Sequence, residues 1–424
     1  GYKAGFQSTT ASGSVFLGQS AGETVTTGNQ NIGIGLAAMN GGTTTGDNNI
    51  AIGTFAGNAL TSGFRNVFMG QNAGGAAQGA DFNTAVGDNA LAANINGQYN
   101  ACFGLNAGDV TTAGTRLTLI GTAAGRGDIT SDGIGTVAVG YAAYNVGTSG
   151  IGNTVVGYEA LSAEDDGDYN TAIGYQALKA QTGTSGTVAN TAIGHHALTR
   201  LTTGTTNTAV GQASQDYNRT GVNNTSVGKE SLSQLGHDDS DNNTAVGFQA
   251  MRSAGTPNNN DAAQNVAVGS KALTAILDGD SNVAVGYLAG AAITTGGNNV
   301  IIGKEAGDGF TANTTMTLIG AEAGTTINSN NANGTVAVGY QSLGDLTSGA
   351  TNTALGSKSG DAATTSSGSV FLGYDAGGTV STGNQNIAIG LDSMNGGTVT
   401  GDNNIAIGAS AGDALTSGYD NVLM

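Results

Sequence analysis

The sequence predicts an all-β fold, a parallel β-solenoid of about 24 short coils, and three observations predict it. First, one five-residue phrase recurs along the whole chain. It reads NTAVG at 207–211 and 243–247, NTAIG at 170–174 and 190–194, NVAVG at 265–269 and 282–286, and NIAIG at 386–390 and 404–408. Second, the spacing is regular. With the closing glycine of each phrase as an anchor, 24 anchors run from Gly1 to Gly408, and 16 of the 23 intervals are 17 residues long. That period is too short for a helix pair and suits one turn of chain stacked on the next. Third, composition excludes the usual Gly-rich alternatives. The chain has 424 residues with 74 Gly, one Pro, 10% charged residues and 38% hydrophobic residues. Collagen and Pro-rich linkers need more proline, and a disordered chain needs more charge and fewer β-branched residues. Coils spaced about 4.8 Å apart would make a rod on the order of 115 Å long.

Each coil reads in the same order. A second glycine usually stands seven before the anchor (Gly28, Gly46, Gly63, Gly97, Gly114) and marks a corner. Asn stands four before the anchor in 18 of 24 cases, Asn170, Asn207, Asn243 and Asn282 among them. Asn tolerates a left-handed backbone and suits a turn, and stacked Asn side chains can bond coil to coil. The residue three before the anchor is β-branched (Val15, Ile32, Thr84, Thr171, Val266), with Ala101 the exception. The residue one before is always apolar (Leu17, Ile34, Val86, Phe103, Val210, Met424). Strand side chains alternate, so these two share a face. They are expected to fill the coil interior as stacked ladders. The anchor itself (Gly174, Gly211, Gly247, Gly286) opens the next corner. The two residues after it vary, as at His195–His196 and Lys229–Glu230, and are expected to face solvent and to carry any recognition. Three after the anchor is always Ala or Ser, which implies a tight interior corner. Longer intervals read as loop insertions, the longest being the 22-residue interval that holds Pro257.

Two positions trade size. The middle residue of the strand is bulky at Phe16, Phe68, Cys102, Leu119, Ile301, Leu318 and Phe371. Four after the anchor those coils carry Gly22, Gly74, Gly108, Gly125, Gly307, Gly324 and Gly377. Where that later position is Met39, Leu91, Tyr144, Leu178, Met251 or Leu343, the strand residue is small. Close packing punishes both voids and overfilling, so the two positions share one space. Alternation places the middle residue opposite the expected interior. The expectation is therefore that Phe16, Gly22, Phe68, Gly74, Leu119, Gly125, Phe371 and Gly377 pack between chains. The competing reading is a two-layer core within one chain.

A larger period lies above the coils. Residues 13–69 match 368–424 at an offset of 355, with 43 of 57 identical, and residues 83–144 match 282–343 at an offset of 199. The chain is expected to be one continuous array, 1–424, and a segment of a longer fibre.

N-x-A-[VI]-G followed by x-x-[AS], with glycine-punctuated turns, resembles the head repeats of YadA-like trimeric autotransporter adhesins. It also resembles the NTAVGYQAL repeats of phage tail fibres, and NTAIGYQAL at 170–178 is nearly a literal match. The resemblance covers essentially the whole chain, although the period is longer than in the adhesin heads. It implies a left-handed parallel β-roll, three chains per rod, intertwined or side by side, displayed outside the cell or virion. No sustained heptad of a coiled-coil stalk accompanies it.

Charge and chemistry narrow the functions. Net charge is −18, from 30 acidic and 12 basic residues, which disfavours nucleic acid and anionic membranes as partners. The single Cys102 excludes an intrachain disulfide framework, and no apolar run is long enough to insert in a membrane. No catalytic signature stands out, and no cofactor is expected. His195, His196 and His237 lack metal-site spacing. Acidic loops at 164–168, 238–241 and 278–280 offer Asp165, Asp166, Asp168, Asp278 and Asp280 as candidate Ca²⁺ ligands, but EF-hand and nonapeptide spacings are absent, and solvated loops are the preferred reading. The expected function is an extracellular adhesive fibre shaft, a homotrimer binding a host or environmental surface through repeated weak contacts. A phage tail-fibre shaft is the alternative. An ice- or ligand-binding solenoid is the second alternative. It would need an exposed threonine plane, and the strand threonines Thr154, Thr171, Thr191, Thr208, Thr225 and Thr244 are expected inside.

Overall fold

The computed structural model describes residues 1–131, 133–182, 186–235, 240–253, 255 and 260–424. His237, Asp238, Asp239 and Pro257 lie outside the described residues. The chain forms two units, Gly1–Asn207 and Thr208–Met424. Each is a parallel β-solenoid with a 17-residue period, and together they make about 23 turns with no helix among the described residues.

Successive coils each contribute one strand ending just before the anchor, three residues long except for the last, Val422–Leu423; Val15–Leu17, Ile50–Ile52 and Val67–Met69 are examples in the first unit. Thr225–Val227, Val283–Val285 and Val370–Leu372 are their counterparts in the second. Neighbouring strands pair in parallel and in register, Val67 with Thr84 and Met69 with Val86 for example. Register survives the insertions. Thr171 pairs with Thr191, and Thr244 with Val266, although the two intervals are 20 and 22 residues long. Extra residues are therefore absorbed in the turns, and one such excursion forms a small pair of its own, Gly167–Asp168 with Gly186–Thr187.

The anchor glycines follow from backbone geometry. Gly87 has φ 137°, a conformation that L side chains avoid, and a Cβ there would run into the carbonyl of Gly104 in the next coil. The glycines seven before the anchor have another cause. At Gly63 the φ is ordinary, and a Cβ would collide with the carbonyl of Ala80. Left-handed turns fall mainly on other residues. The residue five before the anchor is left-handed in coil after coil (Asn48, Tyr99, Thr206, Asn298), as are those two and four after it (Glu159, Leu161).

The side-chain arrangement corrects the expected orientation of the strand. The middle residue points into the coil and its two neighbours point out. Phe68 is 0% exposed and Met69 in the same strand 39%. Ala51, Ala85, Cys102, Leu119, Ile301 and Phe371 are likewise fully buried. The residues three and one before the anchor, expected inside, are half-buried to exposed throughout. The placement of Phe16, Gly22, Phe68, Gly74, Leu119, Gly125, Phe371 and Gly377 between chains is therefore overturned. The shared space exists, but within one coil. A Cβ on Gly74 would come within 2.5 Å of the Phe68 ring, and one on Gly125 within 2.5 Å of Leu119. The reason is the narrowness of the coil. Turns so tight leave room inside for one strand residue, the Ala or Ser three after the anchor, and the side chains four and seven after it, both large in coils such as those of Leu273 with Ile276 and Leu343 with Leu346. The position seven after the anchor (Leu60, Ile293, Phe310, Leu346) is buried and was not apparent from the repeat.

The asparagines four before the anchor, from Asn31 to Asn404, are buried as a polar spine, and Asn421 in the last coil is partly exposed. Asn49 Oδ1 accepts the backbone N–H of Asn66 at 3.0 Å, and Asn66 Oδ1 accepts that of Asn83 at 3.0 Å. Most Nδ2 groups also donate to a carbonyl of the next coil, as from Asn49 to Gly63 O at 2.9 Å, whereas that of Asn170 is buried without a partner. The same brackets link Asn153 to Asn170 and Asn265 to Asn282. Burial of an amide costs least where its hydrogen bonds are made, and the period supplies most of them one coil away.

Candidate functional site

Three surfaces are candidates for function: the outer strand face, the turn after the anchor, and the acidic loops. The outer strand face is the largest. Its two ranks, three and one before each anchor, hold Val, Ile, Thr, Leu, Met and Phe, with Ala101 the one small residue. None of the chain's 30 acidic and 12 basic residues stands in either rank. Exposed members include Leu17, Phe103, Ile120, Ile193, Val227, Ile302, Leu355 and Ile407. The face also corrects the threonine reading. Thr154, Thr171 and Thr191 in the first unit, and Thr208, Thr225 and Thr244 in the second, lie in this outer rank and are half-buried rather than interior.

The turn after the anchor has two different positions. The first residue is exposed, as at Gln19, Tyr141, Tyr158, Tyr175, His195 and Tyr374. The second is left-handed and its side chain often binds the next coil. Gln176 donates to Glu159 at 2.9 Å, Gln249 to Glu230 at 2.8 Å, and Gln341 to Glu322 at 2.8 Å. Lys179 adds a 2.6 Å ion pair to Glu159. These partners, Lys179 first, hold the Glu159 carboxyl below its ordinary range. The first of the two turn residues is the less engaged, although Asp88 there accepts the N–H of Gln71 at 3.1 Å. Tyr141, Tyr158, Tyr175 and His195 form one file of stacked rings with centroids 5.1, 5.2 and 5.3 Å apart. His195 and His196 stack on each other at 4.1 Å.

The acidic candidates are largely engaged by the protein. Glu164, Asp165 and Asp166 have carboxylate oxygens within 4.8 Å of one another. Glu164 is fully buried, and its Oε1 accepts the N–H groups of Asp165, Asp166 and Gly167 at 3.1, 3.3 and 2.9 Å. Its Oε2 accepts from Gln181, whose own Oε1 accepts from Asn190 at 2.9 Å. Burial pushes this carboxyl above its ordinary range. Asp168 accepts the N–H of Ile151 at 2.8 Å, Asp280 that of Ala263 at 2.8 Å, and Asp278 that of Asp261 at 3.3 Å. Asp168 and Asp280 share their position, two before the spine asparagine, with Asp47, Asp81 and Asp402, which accept N–H groups of the preceding coil in the same way. The recurring D-x-N was legible in the sequence and is a corner bracket. Cys102 is buried and its thiol is pushed up to about 12, which makes it unreactive.

Compared with models of known families and with curated proteins, the chain matches none.

Proposed function

We propose that this chain is a structural and adhesive fibre shaft, a homotrimer whose three copies pack by their outer strand faces and which is displayed outside the cell. One observation supports it above the rest: both outer ranks run free of charge along every strand. The thirteen strands of the second unit, stacked at about 4.8 Å, carry this strip for about 60 Å. A monomer seldom leaves so long an apolar strip in water, and a second and third copy of the same strip are a natural cover for it. The charged residues are excluded from the strip, and apart from the buried Glu164 most of them stand on turns that remain wet in the trimer. A phage tail-fibre shaft would use the same packing on another particle.

Light scattering on the intact chain tests the reading. The expected mass is three times 41.3 kDa. Val283→Lys together with Val300→Lys should yield single chains with unchanged β-sheet content, because both side chains face outward. A wild-type chain that scatters as a monomer would sink the trimer.

The outer position of Thr154, Thr171 and Thr191 supports a second reading, an ice-binding face. Hydroxyls of adjacent strands repeat at about 4.8 Å on a rigid sheet. Thermal hysteresis in a dilute solution would favour it over the fibre. Val or Ile in the same rank at Ile32, Ile50, Val283 and Val300 argues for the fibre.

A further inference from the structure

We propose that the file Tyr141–Tyr158–Tyr175 is a site of oxidative cross-linking, at which dityrosine bonds staple successive coils within one chain. The three residues follow consecutive anchors, and the strands before them pair in register, Val139 with Val156 and Val156 with Ile173. Their ring centroids are 5.1 and 5.2 Å apart, with planes inclined by 14° and 8°. The side chains are 42–51% exposed, so an oxidant reaches them and the rings can swing.

The chemistry needs a one-electron oxidant, here hydrogen peroxide acting through a haem peroxidase. Each of two phenols gives up one electron and its phenolic proton and becomes a phenoxyl radical with spin on the ring carbons beside the oxygen. Two such carbons couple to form one C–C bond. The hydrogens on those carbons then shift through solvent to the two oxygens, which restores both phenols. The two electrons and two protons reduce one peroxide to two waters, so each staple removes two hydrogens from the chain. Radicals held a few ångströms apart on a fixed backbone meet at a far higher effective concentration than radicals on separate molecules.

The fold supplies its own controls. Tyr287, Tyr340 and Tyr374 also follow directly on an anchor and are 46–53% exposed. Their neighbours in the adjacent coils are Ser270 and Lys304, Ala321 and Ser357, and Ser357 and Leu391. Exposure is matched, and only the stacked partner is absent.

The test treats the intact chain at dilute concentration with peroxidase and peroxide, then reads dityrosine fluorescence and the masses of proteolytic peptides. Linked peptides should join Tyr141 to Tyr158 or Tyr158 to Tyr175, each two hydrogens lighter than the sum. Tyr158→Phe keeps a ring in the stack but leaves the outer phenols two coils apart. It should lower the dityrosine yield at least tenfold, whereas Tyr141→Phe and Tyr175→Phe each leave one competent pair. Equal yield from Tyr158→Phe, links mapping to Tyr287, Tyr340 or Tyr374, chiefly intermolecular products, or no dityrosine in the wild type would each overturn the proposal. The outcome is independent of whether the chain is a trimer.

Discussion

The two faces of a single strand behave as different regions of the molecule. In Val67-Phe68-Met69 the middle side chain is sealed inside the coil, and its neighbours stand outside in an uncharged strip. Both faces are apolar, yet they answer to different constraints. The interior is bounded by turns, so each coil admits a fixed volume and large residues trade with glycines. The exterior is unbounded in one chain, so it takes β-branched residues of any coil without compensation. Size exchange, rather than hydrophobicity, distinguishes inside from outside in a coil this narrow.

The largest effect should come from breaking this distinction within one strand. Phe68→Ala leaves a cavity beside Gly74 and should cost about 3–5 kcal/mol. Met69→Ala, one residue on, should change the stability of a single chain by about 0.5 kcal/mol. Hydrogen exchange of the amides in strands Ile50–Ile52 and Thr84–Val86 is the suitable readout, because a repeat array opens locally. Equal losses of protection in the two variants would show that the faces are not distinct.

A smaller loss is expected where the interior is polar. Asn83→Ala removes the acceptor of the Asn100 N–H, a 3.0 Å bond, and the donor to Gly97 O at 2.9 Å. A buried donor left unpaired costs about 1–3 kcal/mol, so exchange of the Asn100 amide should accelerate by one to two orders of magnitude. An unchanged Asn100 amide would mean that the spine is incidental to the stack.

How much of this was legible depends on symmetry. The period, the place of each strand, the parallel register and the corner Ala or Ser all repeat, so the repeat announces them. The asparagines could be placed at a turn, and their coil-to-coil bonds expected, because a buried amide needs a partner and an identical residue lies one coil away. Which strand face is inside was not legible from alternation, since Val15 and Leu17 share one face whichever way the strand is turned. Charge could not decide it, because the middle residues are as uncharged as their neighbours. The glycine trade with Phe68 and Leu119 held the answer, for only an enclosed space enforces compensation. Asp168 and Asp280 looked like loop carboxylates because their backbone partners, Ile151 and Ala263, lie a full coil away.

The mildest prediction concerns the one carboxylate that, among the described residues, is drawn fully into the interior. Glu164 stands seven after its anchor, where Leu60 and Leu346 stand in other coils. Burial raises its pKa above the ordinary 4.5, against the opposing pull of its bonds from Gln181 and the Gly167 and Asp166 N–H groups. The folded chain therefore holds this proton more tightly than the unfolded chain. Between the unfolded and folded pKa values the folded state binds more protons, so stability must fall as pH rises. The contribution is complete below 4.5 and is lost as pH climbs through the raised value. Glu164→Gln keeps an acceptor for the three backbone N–H groups and removes the titration. Measured as the difference in melting temperature between variant and wild type, the balance should shift toward the variant from pH 4 to pH 7. A difference that is flat, or that moves toward the wild type, would place the charged form of Glu164 as the one the coil prefers. The interior polar network would then be an ion site held by Gln181 and the turn amides, and the coil interior would tolerate a charge that both outer ranks exclude.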